Sequence, residues 1–95
     1  MYNLIIRDSV YQVIDDAYFW YEQASEGLGE RFLGEIEMSL NKISNNPFYY
    51  SQYKQNYRRV VLNKFPYMIV YEVFEKDVVV LAAFHTSTNA DKNIR

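Results

Sequence analysis

Apolar residues dominate the first short stretch of the chain, YNLIIR at 2–7, which predicts a strand. From Ser9 the period changes. Val10, Val13, Ala17, Trp20 or Tyr21, and Ala24 recur every three or four residues, while Asp15, Asp16, Glu22 and Glu26 fall mainly off that stripe. The spacing predicts a helix over about 9–26, opened by a Ser9/Gln12 capping box. Gly27 supplies a left-handed stop, with Leu28 as the apolar contact of that cap. A second helix follows at once, with Glu30 near its start, Lys42 in its last turn and a stripe of Phe32, Ile36, Leu40 and Ile43. Asn46-Pro47 ends it, because the residue before a proline is pushed out of the helical region. So short a connection makes the two helices an antiparallel hairpin.

Beyond the hairpin the pattern is that of strands. YRRVVL (57–62) leads to a turn at Asn63-Lys64, and Pro66 opens YMIVYEVF (67–74). A turn at Glu75-Lys76-Asp77 then joins that strand to VVVLAAF (78–84) as a hairpin. The predicted order is β-α-α-β-β-β, an α+β fold with a helical hairpin packed on a small, mainly antiparallel sheet. With 95 residues the chain is expected to be one domain, 1–95. Both strands of the last hairpin are apolar at nearly every position, and one helical hairpin covers only one face. The other face needs a further cover: the C-terminal tail, the 47–56 loop, a second subunit or a bound partner.

Composition narrows the chemistry. There is no Cys and only one His, so neither a disulfide framework nor a zinc-ligand spacing exists, and no metal or cofactor is expected. No basic-then-apolar leader opens the sequence and no apolar run approaches the ~20 residues that span a bilayer, so a soluble cytoplasmic protein without membrane contact is the expectation. The net charge of −2 is unevenly spread: residues 1–41 carry −6, residues 42–71 carry +5 with no acid, and residues 72–95 carry −1. The basic segment suits an acidic partner, while the overall acidity argues against general nucleic-acid binding.

Within the basic segment, Arg58 and Arg59 are adjacent on one strand and must point to opposite faces. The one sharing a face with Val60 and Leu62 differs in environment from the one beside Tyr57 and Val61. One should be partly covered and need an acid or carbonyl partner, with Asp15, Asp16 and Glu72 as candidate acids. The other should be open to an external carboxylate or phosphate. FYYSQYKQNYRR (48–59) interleaves aromatic and basic residues, a composition that fits base stacking but fits a protein-interface hot spot better. His85 suits proton transfer in attack by an RNA 2′-hydroxyl; with an arginine it supplies two of the three groups needed, leaving Glu72 or Tyr71 for the third. The structural alternative, a backbone hydrogen bond that closes the last strand, is preferred. Trp20 and Phe32, on the helix stripes, are expected in the core, and the helix acids on a solvated face.

Taken in order, these features resemble the RelE/ParE superfamily of bacterial toxins. The matching residues are WYE at Trp20–Glu22, GLGERF at Gly27–Phe32, Asn46-Pro47, YRR at Tyr57–Arg59, FPYMIVY at Phe65–Tyr71 and His85. The resemblance implies the toxin of a type II toxin–antitoxin module, neutralised by a cognate antitoxin encoded beside it. RelE-like members cut mRNA on the ribosome; ParE-like members poison DNA gyrase and lack the catalytic set. The pattern is more similar to the ParE side, although the tail HTSTNADKNIR has neither the arginine after His85 nor the terminal aromatic common in the superfamily. The expectation is therefore a growth inhibitor acting by protein binding, through Arg58, Arg59, Tyr49, Tyr50, Tyr53 and Lys64. Its alternatives are a ribosome-dependent mRNA endonuclease using His85, Arg58 and Arg59, and an inactive relative that only binds an antitoxin. Successive aromatics at Tyr18–Tyr21 point all round the first helix, so an exposed interface, and on its own a homodimer, is also expected.

Overall fold

A computed structural model describes residues 1–87. The elements run β1 (Asn3–Ile6), α1 (Asp8–Ala24), α2 (Leu28–Asn45), β2 (Gln52–Lys54), β3 (Tyr57–Val61), β4 (Tyr67–Phe74) and β5 (Asp77–His85). They form one five-stranded sheet in the order β1-β5-β4-β3-β2. β1 pairs with β5 in parallel, Asn3 opposite Asp77 and Ile6 opposite Val80. The remaining pairs are antiparallel. The architecture is the expected α+β one, with β2 as an additional edge strand in what reads as a loop.

The capping box does not form. α1 starts one residue early, its N-cap is Arg7 with extended backbone and no side-chain cap, and Ser9 is already inside the first turn. Asp8 faces the positive end of the helix dipole instead, and Gln12 Nε2 donates to Asp16 Oδ1 at 3.1 Å. The buried stripe is Val10, Ile14, Ala17 and Tyr21. Trp20 lies outside it, 68% exposed, against the core position expected; Phe32 is fully buried.

The sharp link between α1 and α2 has a specific support. Gly27 sits at φ 85 as the N-cap of α2. Its N–H and that of Gly29 donate to Glu22 Oε2 and Oε1, each at 3.0 Å. One carboxylate thus satisfies two of the amides that a helix start leaves without partners, where the dipole also favours negative charge. Gly29 is required by space: a Cβ there would lie 2.8 Å from the Tyr18 ring and 2.9 Å from Glu22 Oε1. The sequence pieces WYE and GLGE are two halves of this one contact.

The main core lies between the hairpin and the sheet. Tyr21, Phe32 and Phe65 meet there with ring centroids 4.9–5.4 Å apart, over Ile69, Tyr71, Val78 and Val80. A second, smaller cluster on the opposite face joins Met68, Val70, Ala82 and Phe84 beneath Tyr53 and Tyr57. The 47–56 segment therefore provides part of the cover that this face needs. The tail from residue 88, the other cover considered within the chain, lies outside the described residues.

Strict alternation fails once in β5. Val70 pairs with Ala82 but Tyr71 with Val80, so Leu81 is the extra residue of a bulge. Val78 and Val80 face the helices before it; Ala83 faces them after it. His85, two residues further on, consequently stands on the helix side, its ring 5.3 Å from that of Tyr67.

Candidate functional site

The strand register separates the two arginines as their adjacency requires. Arg58 lies on the helix side and is half-buried. Its Nη1 donates to the Tyr50 carbonyl at 2.6 Å, and its guanidinium lies 5.2 Å from the Phe48 ring centroid. The partner is a carbonyl, rather than Asp15, Asp16 or Glu72. Arg59 is exposed on the other face, 5.1 Å from the Tyr53 ring centroid.

Tyr71, opposite Arg58 in the register, is fully buried, and its hydroxyl donates to the Pro47 carbonyl at 2.6 Å. Burial raises its pKa to about 12, with the Arg58 charge pulling down and Tyr50 pushing up. It is a structural phenol that ties the end of α2 to the sheet and has no path to an outside phosphate. Glu72 is half-buried at the other end of β4 from Tyr67, opposite Tyr57 in β3.

His85 pairs with Tyr67 at the start of β4, and Arg58 pairs with Tyr71 further along the same strand. Four residues of strand separate those positions, ~13 Å before the lateral step is added. His85 Nδ1 accepts from the Ser87 N–H at 3.2 Å, with Ser87 Oγ at 2.7 Å. A nitrogen that accepts a backbone N–H has its lone pair there, so the neutral ring carries its proton on Nε2. His85 and Arg58 thus share the helix face but stand apart along it, Arg59 lies on the other face, and the three do not converge.

The tyrosines and Lys64 divide in the same way. Tyr49, 74% exposed, packs edge-on against Tyr50 at 5.0 Å. Both line a groove of about 520 Å³ with Met38, Lys42 and Asn46 along the flank of α2. Lys64, whose backbone N–H donates to Glu35 Oε1 at 3.1 Å, lines an adjoining groove of about 680 Å³ with Leu28, Arg31, Glu35, Met38 and Phe65. Tyr53 belongs with Arg59 on the opposite face. Met38, shared by both α2 grooves and half exposed, escaped the sequence reading; its signal was an apolar residue off the Phe32–Ile36–Ile43 stripe. Among the described residues no group of three or more His, Cys, Asp or Glu could hold a metal ion, and no helix is long and apolar enough to cross a membrane.

Two helices packed on a five-stranded mixed sheet match the fold of ParE and RelE toxins. The chain belongs to the family described as "ParE toxin of type II toxin-antitoxin system, parDE", which matches residues 4–90. It is similar in fold to a chain of the chromosomal ParDE system from P. aeruginosa, with a TM-score of 0.72 at 16% identity over 90% of this chain and 96% of the other. The isolated E. coli RelE toxin matches with a TM-score of 0.59 at 14% identity, over 97% and 92% of the two chains. A chain of the intact E. coli RelBE toxin–antitoxin complex matches with 0.58 at 14% identity, over 90% and 96%. No curated protein matches the sequence.

Proposed function

We propose that this toxin arrests growth by binding a protein, with DNA gyrase as the target, and that a cognate antitoxin holds it inactive. The observation that carries this reading is the dispersal of the groups an RNA-cleaving site would need. Cleavage requires a base, an acid and a cation around one phosphate. Here His85 lies opposite Tyr67 at the start of β4 and Arg58 opposite Tyr71, four residues along it, while Arg59 faces the other way and the Tyr71 hydroxyl is spent on Pro47. Exposed aromatic surface is plentiful instead, with Phe19, Trp20, Phe48 and Tyr49 all more than half exposed. Such surface is the usual currency of protein interfaces.

The antitoxin's place is supported by the α2 flank. Met38, Tyr49 and Tyr50 offer apolar ground, and Lys42 and Lys64 offer positive charge. An acidic, amphipathic segment that folds on binding fits that combination. The test is to induce the chain without and with its neighbouring gene while following growth, transcript integrity and DNA supercoiling. Growth arrest with altered supercoiling and intact transcripts, relieved by the neighbour, is expected. Rapid cleavage of ribosome-bound transcripts would overturn the gyrase reading in favour of the endonuclease; unimpaired growth would favour an inactive, antitoxin-binding relative.

A further inference from the structure

A third groove stands apart from the α2 flank. It lies beside α1, where Asp16, Trp20 and Tyr21 face Pro66, Tyr67 and His85 across a volume of about 580 Å³. Its rings stand nearly perpendicular to one another: Trp20 to Tyr21 at 83° and 5.2 Å, Tyr21 to Tyr67 at 68° and 6.3 Å, Tyr67 to His85 at 76° and 5.3 Å. The wall is thus a box of aromatic faces and edges, and Trp20 at its lip is 68% exposed. Aromatic faces carry negative potential and attract cations held within ~6 Å of a ring centroid.

The charge around the groove has one sign. Asp16 is the acidic residue of its lining, and that lining includes no lysine or arginine. Its Oδ1 is bonded to Gln12, itself neutral. The whole of α1 carries Asp8, Asp15, Asp16 and Glu22 and no base. An acidic segment would meet repulsion here, opposite to the α2 flank.

We infer that this groove docks a basic amphipathic segment of a partner protein, with an arginine stacked on Trp20 and paired with the Asp16 carboxylate while neighbouring apolar side chains fill the space before Tyr21 and Tyr67. Arginine suits the site better than lysine because its flat guanidinium both stacks on a ring and presents a fork to a carboxylate. The inference rests on the groove alone and holds whichever cellular target the toxin has.

Trp20 is the sole tryptophan, so emission from the full-length chain reports on the groove directly. The probes are a short acetylated peptide with leucines on one helical face flanked by arginines, a twin with glutamate at each arginine, and N-acetyl-arginine amide. The arginine peptide should shift the emission saturably and bind at least about tenfold more tightly than its twin, a difference of ~1.4 kcal/mol. Asp16→Asn, on an exposed helix position, should keep the melting temperature and lose most of that preference. Trp20→Ala, followed by calorimetry, should weaken the arginine peptide more than the twin. Equal binding of the two peptides, or a preference untouched by D16N, would overturn the inference. So would an affinity for N-acetyl-arginine amide equal to that of the peptide, which would make this a small-cation site. Sedimentation showing that a second copy of the chain fills the groove would overturn it as well.

Discussion

Tyr71 ties chemistry to stability most directly. Its ordinary pKa of 10.0 is raised to about 12 in the fold, chiefly by burial. The folded chain therefore keeps this proton while an unfolded one releases it. The contribution is fully present below pH 10 and is lost as pH rises from 10 towards 12. Tyr21, Tyr50 and Tyr67 are shifted the same way, again first by burial. Melting temperatures measured across alkaline pH should fall above pH 10. Tyr71→Phe should make that fall shallower, and at neutral pH should cost about 1–3 kcal/mol by leaving the Pro47 carbonyl without its donor. The arginines should part company in the same measurement. Arg58→Ala strips the Tyr50 carbonyl and should cost about 1–3 kcal/mol. Arg59→Ala removes an exposed contact with Tyr53, should cost less than about 1 kcal/mol, and should instead weaken partner binding or toxicity. Equal stability losses with full activity in both variants would refute this division.

At the level of elements, the hairpin joint makes the sharpest prediction. In an open helix, Gly→Ala gains up to ~1 kcal/mol from propensity. At Gly29 the added methyl would press on the Tyr18 ring and on the carboxylate oxygen that its own amide bonds. The sign should reverse: Gly29→Ala should destabilise by about 1–3 kcal/mol, whereas Gly34→Ala, with open space around its Cβ, should stabilise slightly. Thermal melts of the two variants side by side check this. The same joint shows what was legible in the sequence. The left-handed Gly27 and the antiparallel hairpin follow from local rules; the Glu22 clamp does not, because it links residues seven apart across a turn. The strands from 57 onward were readable from their apolar runs. β2 was not, since its tight turn uses Gln55 at φ 52 in place of a glycine. Trp20 was misplaced because the stripe allowed two neighbouring residues, and packing against Phe65 and Phe32 chose Tyr21. For the candidate site, the opposite faces of Arg58 and Arg59 were legible from period two. The distance from His85 to either depended on register, and its face depended on the Leu81 bulge, for which no glycine signals.

The molecule as a whole presents more than one kind of groove: along α2, Lys42 and Lys64 with Arg31 and Glu35 among apolar residues, and beside α1, aromatic rings with Asp16 as the acid of the lining. If an antitoxin covers the first, it binds only the folded chain and must raise its melting temperature. At a free concentration one hundred times Kd the gain is ~2.7 kcal/mol. Thermal denaturation with and without the neighbouring gene product checks this, and an unchanged midpoint for a stable monomer would contradict it. The parallel pairing of β1 with β5 has a consequence of another kind, in the order of synthesis. Among the described residues the first strand made has as its sheet neighbour the last, Asn3 opposite Asp77. The helical hairpin is local and can form on the ribosome, but closing the sheet requires a contact spanning most of the chain, the slowest sort to make. β1 must wait, unpaired, until residues 77–80 emerge. A chain cut short before Asp77 therefore cannot close its sheet. Whatever activity needs the closed sheet is therefore silent in every nascent chain that has not yet delivered residues 77–80.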